Sequence, residues 1–524
     1  NFTLYADYKK NFNDRHDLSV MVGTSHESEN YDRFTAKRIN FDQQENMSLQ
    51  LGSAQDQNAW SEGNQWTINS FFSRVNYTFA NKYVIEGTIR ADGSSRFDPD
   101  HRWGWFPGVN AAWRVGEEGF MKRLGWFEDL KVRASYGEMG NQSGIGLYDY
   151  IQLISLSNDY YPFGAGVKGQ MATSGNIIST SRTWETIQTT NVGFDFSTLN
   201  NRLYGSFDYF WKENKNMLIP KTYPSMLGAD APSTNSGHLS IHGWEISLGW
   251  RDQIKDFSYS VRFNISDAKN KVVDRVGSNL IQLGNNETPT GYPLNSYFGY
   301  EFDGIIQNEQ ELEAYKSRFS EGGIPGDLSV GDAMYKDLDG DGKLSVLGDG
   351  KEGSGDVKYL GDKNPRYNFG FNLSMAWKGF DLSAFIQGVG RRTMFLEGES
   401  RCPMPEAWYQ SAEYWYGKTW TPERTDAQYP AITLKDKRNY NYYVSTNTKF
   451  NVAYARLKNL QFGYTIPQTL TSKAGLQKVR VYFSGEDLFE VHNTPNGWDP
   501  EENSGSITSY PFTRNYSFGI NVVF

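Results

Sequence analysis

The strongest candidate for chemistry in the 524-residue chain is the run Asp337-Leu338-Asp339-Gly340-Asp341-Gly342-Lys343-Leu344-Ser345. Carboxylates at loop positions 1, 3 and 5, with Gly at 6 to permit a sharp turn, form the pattern of a calcium loop built from hard oxygen ligands. Position 7 would use the Lys343 carbonyl and position 9 Ser345. Position 12 is Gly348 where a bidentate Glu belongs, and Asp349 follows one residue late. No flanking helix pair is expected. The reading is a structural Ca²⁺ site on Asp337, Asp339, Asp341, Lys343, Ser345 and Asp349 that pins a long loop, set against a merely solvated acidic turn.

A second set lies in 389–450, where Trp408, Tyr409, Tyr414, Trp415, Tyr416, Trp420 and Tyr440 stand among charged residues. Flat rings beside polar groups suit sugar rings, and they also suit a protein interface. The same rings can pack a loop against its neighbours, and packing or protein contact outweighs direct ligand contact. Catalysis finds little support. The six histidines, His16, His26, His101, His238, His242 and His492, are scattered. His238 and His242 fall where a strand is expected, and four residues of strand span about 13 Å, too far to share a metal. Neither H-E-x-x-H nor G-x-S-x-G occurs. The single cysteine, Cys402, excludes an internal disulfide framework, and a net charge of -9 argues against nucleic acid as a partner.

The elements that must position these loops show a period of two. Phe71, Val75, Tyr77 and Phe79 oppose Arg74, Asn76 and Thr78; Tyr83, Ile85 and Ile89 oppose Glu86, Thr88, Arg90 and Asp92. Tyr259, Val261, Phe263 and Ile265 oppose Ser260, Arg262 and Asn264, and Phe369 to Trp377 repeats the pattern against Asn372, Ser374 and Lys378. One apolar and one polar face is strand patterning. Fifteen strands are expected, at about 2–11, 17–25, 66–79, 82–92, 106–116, 129–137, 186–198, 202–212, 240–250, 255–268, 366–377, 379–388, 451–466, 478–488 and 513–524. Their connections alternate strictly between short turns and long loops, the long ones being about 26–65, 138–185, 269–365 and 389–450. Sorting by parity is the habit of transmembrane barrels, not of sandwiches. Mean hydropathy is -0.63 and aromatics make up 15% of the chain, which excludes a helical membrane protein but suits strands that are apolar on one face. Arg74, Glu86, Arg90, Asp92, Arg262 and Lys378 would then line a polar lumen. Phe524 would end the last strand at the short-turn rim. The fold class is therefore all-β, a transmembrane antiparallel barrel. Fifteen strands are an odd and incomplete set, so further strands are expected outside this sequence.

The motifs resemble one family. Arg90-Ala91-Asp92-Gly93-Ser94-Ser95-Arg96-Phe97, Trp103-Gly104-Trp105-Phe106-Pro107, Ala111-Ala112-Trp113-Arg114 and Leu130 to Gly137 with Gly140-Asn141-Gln142 are similar to the SusC/RagA family of TonB-dependent transporters. So are Trp184-Glu185-Thr186, Gly243-Trp244-Glu245, Gly299-Tyr300, Asp303-Gly304-Ile305, Lys336 to Gly342, Arg456 to Leu460 and Ser484 to Leu488, in the family's order. The resemblance implies a plugged barrel of about 22 strands in the bacterial outer membrane, with the first strands and plug upstream, TonB contacting the N-terminal part, and a SusD-like surface lipoprotein as lid. It implies import of oligomeric nutrients, glycans foremost and peptides as an alternative, no enzymatic activity, and a dimer of transporter–lid pairs. The aromatic loop would meet the lid or the substrate. A passive porin, a docking barrel and a barrel enzyme are the competing readings; the scattered histidines disfavour the last.

Overall fold

The computed structural model describes residues 1–41, 45, 48–55, 57–157, 162–163, 167–168, 171–175, 177–220, 226, 232–275, 281–286, 289–347, 355–405, 410–433, 437–502, 510 and 512–524. Fifteen strands join in one antiparallel sheet in chain order: β1 (Phe2–Phe12), β2 (His16–Lys37), β3 (Asn58–Phe79), β4 (Tyr83–Ser94), β5 (Trp103–Arg114), β6 (Asp129–Asn141), β7 (Glu185–Thr198), β8 (Leu203–Pro220), β9 (Ser233–Ile254), β10 (Phe257–Asp274), β11 (Arg366–Trp377), β12 (Phe380–Arg391), β13 (Tyr454–Thr465), β14 (Lys478–His492) and β15 (Asn515–Val523). Every strand expected from the alternation is present. The chain divides into two compact units, one of Asn1–Trp113, Arg133–Thr190 and Lys212–His238, the other of Arg114–Val132, Asn191–Trp211 and Leu239–Phe524.

In the first unit, register puts the two faces on different chemistry. Arg74 pairs with Thr88 and Met21, Asn76 with Glu86, and Glu86 with Asn110, so the charged positions share one face. The other face carries Phe71, Val75, Phe79, Tyr83, Ile85, Ile89, Trp103, Trp105, Val109 and Trp113, all exposed. Exposed apolar side chains in an unbroken sheet face are unusual in water and ordinary against lipid. Aromatic stacks bound this belt: Phe71 on Trp103 at one level, and Phe79, Tyr83 and Trp113 at the other. Ten residues of β5 separate Trp103 from Trp113, about 33 Å of strand. Tilted as barrel strands are, that gives a height of about 25 Å, the apolar thickness of an outer-membrane barrel wall.

The second unit repeats the design. Val261–Leu373–Ala384–Leu460 and Phe462–Phe483–Phe518 run across paired strands on one face, and Ser260–Ser374–Ser383–Gln461–Ser484–Ser517 on the other. Short turns close the hairpins with left-handed residues, such as Ala80-Asn81 at φ 52° and 58° and Lys378-Gly379 at 46° and 89°. Lys378 is thereby corrected: Trp377 pairs directly with Phe380, so the lysine sits in the two-residue turn and not on the wall.

One connection differs from expectation. The loop foreseen at 26–65 is mostly ladder, because β2 and β3 pair from His16–Phe79 out to Lys37–Asn58. Beyond about residue 25 both faces meet water, so the apolar alternation that marks a strand disappears while its hydrogen bonds continue.

The long connections of the second unit have cores of their own. A helix at Glu309–Arg318, capped by Asn308 Oδ1 accepting the Glu311 N–H at 2.9 Å, packs Leu312, Tyr315 and Phe319 against Ile306, Tyr335, Leu344 and Tyr440. A second core gathers Met394, Leu396, Cys402, Tyr414, Trp415, Tyr429, Tyr442 and Trp498.

Candidate calcium loop and candidate functional residues

Two short strands bring the acidic loop together. Ala333–Tyr335 leaves the core through Lys336 into Asp337, and Val357–Asp362 begins immediately after Asp356. Ligand oxygens of Asp337, Asp339 and Asp356 all lie within 4.8 Å of one another. Asp337 accepts the N–H groups of Gly340 at 2.7 Å and Gly342 at 3.0 Å; both glycines have φ near +75°, the conformation that position 6 was expected to require. Asp339 accepts from Asp341 at 3.2 Å and Gly355 at 2.8 Å. Asp356 accepts from Leu338 at 2.6 Å and Ser345 at 2.8 Å and is fully buried. Leu344 plugs the loop into the core below.

The donor set fits a hard cation. Each carboxylate oxygen engaged by one N–H keeps a second lone pair. Burial raises the Asp356 carboxyl above the usual range, with the Asp339 and Asp337 charges adding to the effect. Three converging carboxylates are relieved either by a proton or by a divalent ion with oxygen ligands.

Asp356 was missed from sequence because it lies fifteen residues after Asp341, outside any contiguous loop template; the available signal was a Gly-Asp pair directly before the alternating run Val357-Lys358-Tyr359-Leu360. Asp341 is exposed and its Oδ1 accepts the Lys343 N–H at 2.8 Å. Ser345 contributes its N–H to Asp356, and Asp349 lies outside the described residues.

The aromatic set separates by burial. Tyr414 and Trp415 are not surface residues: both are core, with the Tyr414 hydroxyl 2.6 Å from that of Tyr429. They pack the loop because an apolar ring buried here removes more area from water than one left at the surface. Trp420 donates its Nε1–H to Gln307 at 3.1 Å, half-buried against Gly331. Tyr440 is buried with its hydroxyl 2.6 Å from Tyr315. Tyr416 alone of the described residues in the set is fully presented, 90% exposed. Trp408 and Tyr409 lie outside the described residues.

On the polar face, Glu86 accepts from Asn76 at 3.3 Å and Asn110 at 3.1 Å, and Arg90 donates to Asp92 at 2.7 Å and Ser70 at 2.8 Å. Arg262 reaches the Tyr204 hydroxyl at 3.4 Å. His238 and His242 both lie in β9, and His238 pairs with Glu213 at 2.5 Å.

Residues 1–488 match the family described as TonB dependent receptor-like, beta-barrel. TonB-dependent receptor P3 of Formosa agariphila is 31% identical over 99% of the chain and 52% of its own length. TonB-dependent receptor SusC of Bacteroides thetaiotaomicron is 26% identical over the whole chain and 50% of its own length. The solved structure of the RagAB peptide transporter superposes with a TM-score of 0.80 at 24% identity, covering 99% of this chain and 55% of that one, which is agreement in fold. The chain spans about half the length of the relatives it matches. Strands, faces, motifs and matches converge: the chain belongs to the TonB-dependent receptor β-barrel family of outer-membrane proteins.

Proposed function

We propose that this chain forms part of the barrel of an active outer-membrane importer of oligomeric nutrients, oligosaccharides foremost and oligopeptides as the second class. In this reading, a surface lipoprotein lid of the SusD type closes over the long connections, and TonB acts through a plug contributed by the rest of the protein. The long connections face outward, and the short turns and Phe524 face the periplasm. The observation that carries the reading is that these connections hold two aromatic cores of their own beside an amphipathic strand wall. A passive pore has little use for folded superstructure, whereas a receptor needs a shaped one.

Within that superstructure the Asp337–Asp339–Asp356 group holds Ca²⁺ as a structural ion, tying the exit of one short strand to the start of another. Its role is stability of the loop, with no part in transport chemistry. The importer reading is tested by uptake of a labelled oligosaccharide mixture in cells bearing the native protein. Uptake should vanish when TonB is deleted and fall when the lid lipoprotein is deleted; uptake indifferent to both would mean a passive pore.

A further inference from the structure

Most charges around the loop bases of the second unit are spent on one another. Arg366 forks onto Asp267, Lys336 and Lys358 share Glu301, and Asp362 takes the Tyr359 hydroxyl at 2.7 Å. Two neighbouring cations are different. Among the described residues neither the Arg391 nor the Lys449 side chain has a hydrogen bond or ion pair.

The fold gathers them. Arg391 ends β12 as the register partner of Arg366, so the two cations stand side by side on neighbouring strands at the long-connection end. Just beyond it, Thr393–Met394 pairs with Phe450–Asn451, and Lys449 immediately precedes that pair. Lys358 arrives on the strand Val357–Asp362, whose Gly361 packs directly on Thr393. Lys449 is half-buried, and burial together with the Arg391 and Lys358 charges pulls its ammonium below the ordinary range. A cation held partly out of water beside other cations is an electrostatic cost that an incoming anion removes. Arg391 and Asn451 are exposed, and Tyr359 and Tyr367 show part of their rings, Tyr367 beneath Arg366 at 5.4 Å.

We propose that Arg391 and Lys449 form a binding site for the carboxylate or sulfate of an acidic oligosaccharide, an inference that rests on the importer reading above. The guanidinium supplies a planar fork and the ammonium a point charge. The Asn451 amide and the half-exposed tyrosine rings suit the uncharged remainder of a sugar better than they suit an extended peptide, whose main chain seeks a strand edge.

The test is calorimetry on the full-length protein extracted from outer membranes, with hexagalacturonate, its methyl ester, a dextran sulfate hexamer and hexa-aspartate as probes. The acid and the sulfate should bind at least tenfold more tightly than the ester. Arg391→Gln and Lys449→Gln should each remove most of that preference while leaving any ester binding unchanged, with circular dichroism confirming the fold. Equal affinity for acid and ester, no binding of either acidic sugar, binding of hexa-aspartate alone, or insensitivity to both substitutions overturns the site. Binding is measured without energy coupling, so failure of the importer reading would show separately, as uptake indifferent to TonB.

Discussion

Among the side chains, Asp356 carries the clearest consequences. Burial raises its carboxyl above the ordinary value, so the folded loop holds that proton more tightly than the unfolded chain does. Without metal, the loop should gain stability as pH falls through that raised value and lose this contribution above it. Calcium needs the ionised form, so affinity measured by calorimetry should weaken as pH drops through the same range, and Asp356→Asn should weaken it at neutral pH. An absence of Ca²⁺ heat, with loop proteolysis unchanged in Asp339→Ala, would remove the ion from the account. Glu301 behaves oppositely: its two lysine partners hold it at about 2. Its contribution is therefore present above the usual glutamate range and is lost as pH falls toward that value, which acid titration of loop protease resistance would follow. Trp415→Ala should cost about 3–5 kcal/mol in the loop core, as for a large buried ring, read as earlier proteolytic cleavage of 389–450. The acidic run was legible in the sequence, because carboxylate spacing and glycine placement are local. Asp356 was not, because a ligand returned by a separate strand leaves no contiguous trace. Burial of Tyr414 and Trp415 was likewise invisible, since aromatic composition reads the same for a core and for a docking surface.

Strands were the most legible elements, and lipid is the reason. A wall with apolar surroundings on one side and a polar interior on the other imposes alternation on every residue that crosses, which is why all fifteen strands could be read. Where the wall ends, the rule lapses: β2, β3, β8 and β9 continue past their last apolar–polar alternation, and only their hydrogen bonds record it. The two faces should answer oppositely to charge. Ile85→Lys, on the apolar face, should destabilise the inserted protein by about 2–4 kcal/mol if it lies near mid-wall, whereas Thr88→Lys on the polar face should be nearly silent. Urea unfolding in lipid vesicles distinguishes them, and equal costs would mean that the faces are assigned wrongly.

Across the whole molecule, the proposed orientation makes a prediction that needs no ligand. An epitope inserted after Gly322, in the loop core region, should be labelled by antibody on intact cells. One inserted between Asn200 and Asn201, in the short turn between β7 and β8, should be labelled only after the outer membrane is opened. The reverse pattern would invert the topology and with it the importer reading. The β2–β3 hairpin also has something to say about descent. Its 22 paired positions form a single uninterrupted ladder from Phe79 at the base to Asn58 at the far end. Adding or losing one residue anywhere within it would rotate every side chain on one side of the change, turning belt residues inward. Length can therefore drift freely only at the tip, between Lys37 and Asn58, or in steps of two. Related genes should carry their insertions and deletions there, leaving the ladder as a ruler whose graduations lineages inherit unaltered.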